Sequence, residues 1–222
     1  MRASLIQIRV TDSESVASRR RRAVSLVRDA AEQGADLVVL PELWTTGAFA
    51  YKSFATDHEP LRGPTYEAMA KAARDTGVWL HAGSIPELAD AAARDASGEP
   101  GESVAPEGPV GSVGPVGSAG SGAGVLYNTS LVLSPGGDLA AYYRKIHRFG
   151  FDKGEAVLMG AGSQLVTARL PEGTLGFATC YDLRFPEMFR GLVDAGAEVL
   201  VISAGWPEQR RAHWTLLTRA RA

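Results

Sequence analysis

The stretch Asp36-Leu37-Val38-Val39-Leu40-Pro41-Glu42 decides the fold class, because a short and almost entirely apolar run is typical of a strand buried on both faces of a parallel sheet. Apolar runs at residues 5–10 and 78–84 have the same character. Residues 14–33 and 65–76 lie between these runs, and their apolar side chains recur at near-helical spacing. Strand, helix, strand, helix and strand with short connections predict an α/β fold.

Downstream, the sequence predicts two hairpins, followed by a helix, a strand and a last helix. The hairpin strands are residues 125–133 with 140–143 and 164–170 with 175–179, and the later elements are a helix at 185–195, a strand at 198–203 and a helix at 207–222. The chain stops inside this last helical pattern without a cap or a breaker.

Four consecutive arginines, Arg19 to Arg22, lie on the first predicted helix. A phosphate-binding patch is one interpretation of such a run. Consecutive helical residues point about 100° apart, so the four guanidinium groups fan out over more than one face. We therefore expect these side chains to lie on a solvated helix surface.

Residues 97–124 interrupt the α/β pattern, since 18 of these 28 residues are Gly, Pro or Ser. Such a segment buries too little apolar surface to offset the entropy lost on ordering. Strand-like sequence resumes directly after it. We therefore predict a single domain over residues 1–222 with a flexible Gly/Pro/Ser-rich insertion at 97–124.

The composition excludes several classes of protein. The 222 residues are 45% hydrophobic and carry a net charge of −2, which does not favour nucleic acid or anionic lipid as a partner. The single cysteine excludes an internal disulfide and fits a reducing compartment. We recognise no signal peptide and no apolar run long enough to span a bilayer. We expect a cytoplasmic globular protein with no nucleic-acid or membrane partner.

Cys180 is the first candidate for chemistry. It follows the apolar strand pattern at 175–179 and precedes a polar segment that opens a helix. Amide groups at such a turn favour a thiolate and would also hold a developing oxyanion. The alternative is a buried core cysteine, which is the more common role of a lone cysteine.

Glu42 and Lys145 are candidates because each directly follows a predicted strand. Burial would raise the pKa of Glu42, which suits a general base, although a helix-capping or salt-bridged glutamate is the plainer interpretation. The Lys145 ammonium would stabilise negative charge on a tetrahedral intermediate, although most basic clusters lie on the solvated surface. Glu155 is a weaker candidate that would orient Lys145 or a substrate nitrogen, and the alternative is an ordinary acidic residue in a surface loop.

No metal or organic cofactor is expected. The four histidines have no metal-ligand spacing, and the sequence contains no Walker loop, no G-x-G-x-x-G after a strand and no G-x-S-x-G elbow.

Three of these segments in chain order resemble the nitrilase superfamily of carbon–nitrogen hydrolases. They are Pro41-Glu42, then Tyr143-Arg144-Lys145-Ile146-His147, then Cys180-Tyr181-Asp182-Leu183-Arg184-Phe185-Pro186-Glu187. The resemblance covers nearly the whole chain and extends to Tyr127-Asn128-Thr129 and Gly205-Trp206-Pro207. It implies a four-layer α-β-β-α sandwich. Family members normally continue beyond the last helix here, so we expect this sandwich to be incomplete at its C-terminus.

The resemblance also implies roles for the candidates. Glu42 would be the general base, Lys145 would stabilise the tetrahedral intermediate and Cys180 would be the nucleophile. Glu155 resembles a second glutamate often found near the lysine, and the backbone amide of Tyr181 would help to hold the oxyanion. The mechanism passes through a thioester acyl-enzyme and needs no cofactor.

The resemblance favours an amidase acting on small linear amides, with ω-amidase-like or deaminated-glutathione-amidase-like activity. Nitrilase and N-carbamoyl hydrolase activities would use the same three residues, a Cys-His hydrolase would use His147 as base, and a truncated chain would be inert. For Arg184 we expect an internal ion pair rather than contact with a substrate carboxylate. A homodimer or larger homo-oligomer, formed near Trp206 and the last helix, is the expected assembly.

Overall fold

The computed structural model describes residues 1–90 and 124–222. The predicted insertion at 97–124 therefore lies outside the described residues, except for Gly124. The described strands are β1 Ala3–Leu5, β2 Leu37–Val39, β3 Trp79–Ala89, β4 Val125–Leu133, β5 Leu139–Arg144, β6 Thr167–Leu170, β7 Gly173–Thr179 and β8 Val199–Ser203. The described α-helices are α1 Val16–Glu32, α2 Pro64–Thr76, α3 Glu155–Leu158, α4 Pro186–Asp194 and α5 Arg211–Arg221.

The strands form two sheets. The larger sheet has the order β1-β2-β3-β4-β5, with parallel pairing from β1 to β3 and antiparallel pairing from β3 to β5. The smaller sheet has the order β6-β7-β8, in which β7 pairs antiparallel with β6 and parallel with β8. Both predicted hairpins are therefore present.

Alternation along β2 shows how the layers stack. Val38 is buried in one core with Met69 of α2. The preceding residue, Leu37, points to the opposite face and is buried in a second core with Phe177 of β7 and Leu192 of α4. Helices α1 and α2 thus cover the outside of the larger sheet, the two sheets face each other, and α4 lies on the smaller sheet. The expected α-β-β-α order is confirmed.

The first strand is displaced from its predicted position. The sequence predicts residues 5–10, but only Ala3–Leu5 pair with β2. After one further hydrogen bond, from Ile6 N to Val39 O at 2.9 Å, the chain leaves the sheet. Because β2 itself is three residues long, it offers no partner for a longer β1, and the apolar side chains of the segment pack on the core instead.

The expectation that the arginine run is solvated is wrong for Arg19, whose exposed fraction is 3%. Its guanidinium donates to the carbonyl oxygens of Thr45, Thr11 and Glu14 and pairs with the Glu14 carboxylate. A buried arginine needs this number of acceptors to offset its desolvation. Arg19 therefore ties α1 to the segment that directly follows Glu42.

The last predicted helix is present, but it begins later than expected. A short 3-10 helix at Glu208–Arg210 precedes α5, and none of the α5 side chains is fully buried. Within residues 1–90 and 124–222, no helix has the length and apolar character needed to cross a membrane.

Candidate active site

Three sequence-predicted residues meet where strands of both sheets end. Glu42 follows β2, Lys145 follows β5 directly, and Cys180 follows β7 directly. All three are buried, with exposed fractions of 4%, 1% and 7%. Glu42 and Lys145 are 103 positions apart in the sequence, and the fold brings their side chains into contact. Glu155, on α3, joins the same cluster.

Lys145 lies between the two glutamates. Its Nζ donates to Glu42 Oε1 at 2.7 Å and to Glu155 Oε2 at 2.6 Å. Burial alone would lower the pKa of Lys145, but the two carboxylates outweigh burial and hold the pKa above its ordinary value. The lysine is therefore a fixed cation, suited to stabilising negative charge rather than to exchanging a proton.

Two hydrogen-bond donors hold Glu42 in addition to the lysine. Its Oε1 accepts from Asn128 Nδ2 at 2.9 Å and its Oε2 accepts from the Gly205 amide at 2.8 Å. The nearby Cys180 thiol also favours the ionised form of the Glu42 carboxylate. Burial by itself raises the pKa of Glu42, as predicted from the sequence. The predicted net increase is wrong, because Lys145 and the other donors outweigh burial and bring the pKa of Glu42 below its ordinary value.

Glu155 has the opposite balance. It begins α3 after Gly154, whose φ of 82° turns the chain into the site. Its carboxylate accepts from Asn128 Nδ2 at 2.6 Å and from the Phe149 amide at 2.8 Å. Burial and the negative charge of Glu42 nevertheless raise the pKa of Glu155, even though Lys145 opposes them. The two carboxylates are thus distinguished by their surroundings.

Cys180 occupies a strained turn between β7 and a 3-10 helix at Cys180–Arg184. Its φ is 48°, in the left-handed region that side chains other than glycine rarely adopt. The sequence-based expectation of a thiolate is wrong for the resting state. Burial and the nearby charge of Glu42 raise the pKa of the Cys180 thiol well above its usual range. The resting site therefore holds a neutral thiol against an ionised carboxylate.

Asp182 keeps the cysteine turn in place. This fully buried side chain accepts from the Thr179 amide at 2.8 Å and from the Tyr143 hydroxyl at 2.7 Å. Its other oxygen is 2.8 Å from His147 Nδ1, and the His147 ring stacks on Phe185 at 3.7 Å. His147 is thus paired with Asp182, whereas Glu42 lines the same cavity as Cys180.

A narrow cavity opens beside these groups. Its volume is about 20 Å³, and it is lined by Glu42, Ala48, Phe49, Lys145, Phe149, Glu155, Cys180, Tyr181, Arg184, Trp206, Pro207 and Arg210. The Arg184 guanidinium lies 5.7 Å from the Tyr181 ring centroid and 5.5 Å from that of Trp206. Arg184 makes no ion pair with a carboxylate of the described ranges, so the internal pair expected from the sequence is not found there.

Sequence reasoning assigned no role to three residues of this site. Asn128 and Gly205 lie in quoted segments of the family resemblance, and Asp182 lies two residues after the cysteine. Gly205 carries a recognisable signal, because a Cβ atom there would collide with Ala48 Cβ and push the amide away from Glu42. Within the described part of the chain, no cluster of three or more His, Cys, Asp or Glu side chains is arranged to hold a metal ion.

Two facing sheets between helices, with Glu42, Lys145 and Cys180 at the strand ends, define a hydrolase fold of the nitrilase type. The sequence model of the family described as carbon-nitrogen hydrolase matches residues 2–222. The chain therefore belongs to the carbon-nitrogen hydrolase family.

Two of the relatives are named as amidases. A 2-oxoglutaramate amidase of Paenarthrobacter nicotinovorans is 36% identical over 222 residues, covering 98% of this chain and 65% of the relative. The omega-amidase NIT2 of Mus musculus is 31% identical over 230 residues, covering 100% of this chain and 70% of the relative. The chain thus spans about two thirds of the length of these relatives.

Solved structures share the fold. Nit3 of Saccharomyces cerevisiae superposes with a TM-score of 0.72 at 24% identity, over 94% of this chain and 66% of Nit3. An amidase from Nesterenkonia sp. superposes with a TM-score of 0.75 at 21% identity, over 100% of this chain and 71% of that amidase.

Proposed function

We propose that the protein is an amidase that hydrolyses small linear amides through a thioester on Cys180, with the ω-amidase type of substrate. One observation carries this proposal. Glu42, Lys145 and Cys180 line the same cavity, and Lys145 Nζ donates to Glu42 Oε1 at 2.7 Å. A base, a nucleophile and a fixed cation thus surround one point at the end of the cavity.

Acylation begins when Glu42 accepts the thiol proton and the Cys180 sulfur attacks the amide carbonyl carbon. Because the resting thiol is neutral, proton transfer accompanies the attack rather than preceding it. The carbonyl oxygen becomes an oxyanion, which the Lys145 ammonium and the backbone amide of Tyr181 stabilise. Removing one such donor typically costs a factor of about 10² to 10³ in rate.

Breakdown of the intermediate returns the proton. Glu42 protonates the leaving nitrogen, the carbon–nitrogen bond breaks and ammonia departs, which leaves a thioester on Cys180. Glu42 then takes a proton from water, whose oxygen attacks the thioester carbon. When the carbon–sulfur bond breaks, the sulfur recovers a proton and the carboxylic acid is released. Glu155 keeps the ammonium of Lys145 in position throughout.

The cavity lining supports a substrate with a free carboxylate at the end opposite the amide. Arg184 and Arg210 both line the cavity, and the Arg210 guanidinium lies 5.5 Å from the Phe149 ring centroid. Aromatic rings hold these guanidinium groups without neutralising their charge. A 2-oxoglutaramate amidase is among the relatives, and its named substrate combines an amide with such a carboxylate.

The experiment measures ammonia released from 2-oxoglutaramate and, in parallel, the mass of Cys180 adducts after rapid quenching. We expect ammonia release by the wild-type chain, an acyl adduct on its single cysteine, and loss of both in Cys180→Ala. Glu42→Gln should reduce release by at least about 10³-fold. Activity that survives Glu42→Gln but disappears in His147→Ala would refute the assignment of the base.

The substrate class has its own test. Arg184→Met should raise KM for 2-oxoglutaramate about tenfold or more while leaving hydrolysis of an uncharged amide of similar size unchanged. A nitrile or an N-carbamoyl amino acid serves as the competing substrate. Faster turnover of either one than of every amide would replace the amidase assignment, and a folded chain that neither releases ammonia nor forms an adduct would show an inert fragment.

For assembly, we propose a homo-oligomer formed through the surface near Trp206 and α5. The exposed fraction of Leu216 on α5 is 66%, which leaves apolar surface for a partner copy. Light scattering should show a dimer or larger species, and Leu216→Glu should shift it towards monomer. A monomer at micromolar concentration would contradict this proposal.

A further inference from the structure

Asn128 stands at the centre of the charged cluster, although neither the chemistry proposed above nor the sequence assigns it a role. Its amide nitrogen Nδ2 lies 2.9 Å from Glu42 Oε1 and 2.6 Å from Glu155 Oε1. Lys145 Nζ donates to the same two carboxylates. Asn128 and Lys145 therefore close a ring of four hydrogen bonds in which carboxylates alternate with nitrogen donors.

The orientation of the Asn128 amide follows from its neighbours. Both partners of Nδ2 are carboxylate oxygens, which only accept hydrogen bonds, so the nitrogen and not the oxygen must face them. The amide oxygen Oδ1 is buried and has no partner among the described residues. A buried polar atom without a partner costs free energy. We infer that the two hydrogen bonds donated by Nδ2 offset this cost.

We propose that Asn128 is a positioning residue: by donating one amide hydrogen to each carboxylate, it offsets the repulsion between Glu42 and Glu155 and keeps Glu42 in the ionised form. The proposal rests on the function proposed above, because it concerns the group that accepts the thiol proton.

The charge count explains why a neutral donor is required there. Two buried carboxylates share one ammonium, and each would otherwise take up a proton more readily because of the other. The Glu42 charge does raise the pKa of Glu155. A second lysine in place of the asparagine would neutralise the cluster and weaken the base. An amide supplies two hydrogens without adding charge, whereas serine supplies one and aspartate at neutral pH supplies none.

Other groups facing the cluster are few. Cys180 and Asp182 act on it from the cysteine turn, and Tyr51 acts on it from the segment after β2. Arg184 and Arg210 lie further out along the cavity. The thiol and the tyrosine are neutral at low and middle pH, so uptake of a proton by the two glutamates controls how readily the thiol loses its own.

The test uses alkylation of Cys180, the single cysteine, by iodoacetamide between pH 4 and pH 9, followed by intact mass. Alkylation requires the thiol proton to leave, so its rate should fall at low pH as Glu42 is protonated. Glu42→Gln should lack the midpoint: its rate should be low throughout and should fall about tenfold for each pH unit, because its thiol loses the proton only to solvent. In Asn128→Leu, which removes both donors at similar volume, the midpoint of the fall should lie about one pH unit or more above that of the wild type.

Two further variants grade the effect. Asn128→Asp adds a third carboxyl to the ring and should move the midpoint at least as far as Asn128→Leu. Asn128→Ser keeps one donor hydrogen and should lie between Asn128→Leu and the wild type. Asn128→Ser also covers the case in which the larger apolar side chain prevents folding.

Thr129→Val is the matched control. Thr129 is the next residue on β4, is equally buried, and donates its hydroxyl to Glu87 rather than to the cluster. It should lose stability while keeping the wild-type midpoint. Equal midpoints for Thr129→Val and the folded Asn128 variants would overturn the positioning role and leave a structural one.

The alkylation readout separates this inference from the proposed function. A chain that releases no ammonia from any amide, but whose Asn128 variants shift the midpoint, would refute the amidase and support the role of Asn128. A chain that releases ammonia while its variants keep the wild-type midpoint would do the reverse. If the amidase function and the role of Asn128 are both correct, the acid limb of the kcat/KM profile of the Asn128 variants should shift together with their alkylation midpoint. KM should stay nearly unchanged.

Discussion

Replacing His81 with phenylalanine is expected to remove a large part of the acid sensitivity of this fold. His81 lies in β3 with no exposed surface, and its ring centroid is 5.7 Å from that of Phe177. The Gly83 amide donates to Nδ1 at 3.2 Å, so the hydrogen of the neutral ring is on Nε2, which has no partner among the described residues. Burial lowers the pKa of His81 from 6.5 to about 4.

The direction of the effect follows from proton uptake. The unfolded chain binds a proton at His81 below pH 6.5, whereas the folded chain resists doing so until about pH 4. The contribution of neutral His81 to stability is therefore present in full above pH 6.5 and is lost as the pH falls towards 4. With about 1.36 kcal/mol for each pKa unit, the loss relative to pH 7 is about 2 kcal/mol at pH 5 and about 3 kcal/mol at pH 4.

The measurement is urea unfolding of the wild type and His81→Phe at several pH values between 7.5 and 4.5. Carboxylates also titrate over this range, but they do so in both chains, so the difference between the two unfolding free energies isolates His81. We expect the variant to be less stable at pH 7 and to gain about 2 kcal/mol on the wild type by pH 5. A difference that stays constant with pH would refute the reasoning.

Three further changes test how the fold supports the site. Arg19→Met should cost about 3 kcal/mol in urea unfolding, because several buried carbonyl oxygens lose their donor, whereas exposed Arg21→Met should stay within about 0.5 kcal/mol. Gly205→Ala should reduce ammonia release about tenfold, because the new methyl group displaces the backbone amide that donates to Glu42. Adding Ala48→Gly to the same chain should restore part of the activity. Absence of any rescue would show that the close contact with Ala48 is not the cause. Asp182→Asn should reduce the rate about tenfold with little change in KM, since an amide cannot accept every hydrogen bond that the carboxylate does, and an unchanged rate would remove Asp182 from the support of the cysteine turn.

The predicted fold agrees with the structure where local pattern and tertiary pairing coincide. The predicted helix at 65–76 is observed as α2 at Pro64–Thr76, and the strand at 125–133 is observed with the same bounds. Residues 5–10 are the exception. Their apolar, β-branched character indicates a strand, but a strand exists only where a neighbour supplies hydrogen bonds, and β2 supplies them only for Ala3–Leu5.

For the site, the positions of Glu42, Lys145 and Cys180 could be predicted because each follows an apolar strand, where α/β sheets expose functional side chains. The roles assigned to them remain predictions from family resemblance. Asn128 could not be singled out in the same way, because an asparagine inside a strand pattern carries no signal of which carboxylates it will contact. Its importance depends on the fold, which brings two glutamates from distant parts of the chain within hydrogen-bond distance of its amide nitrogen.

The sequence by itself determined the α/β class, the order of most elements and the residue types available for chemistry, because these depend on periodicity and composition along a short window. Only the tertiary structure decided the protonation state of the resting site. The sequence indicates a thiolate and a glutamate of raised pKa, whereas the fold places a neutral Cys180 thiol beside an ionised Glu42. The physical reason is that a pKa depends on the charges and donors within a few ångströms, and here Lys145, Asn128 and Gly205 all come from other parts of the chain.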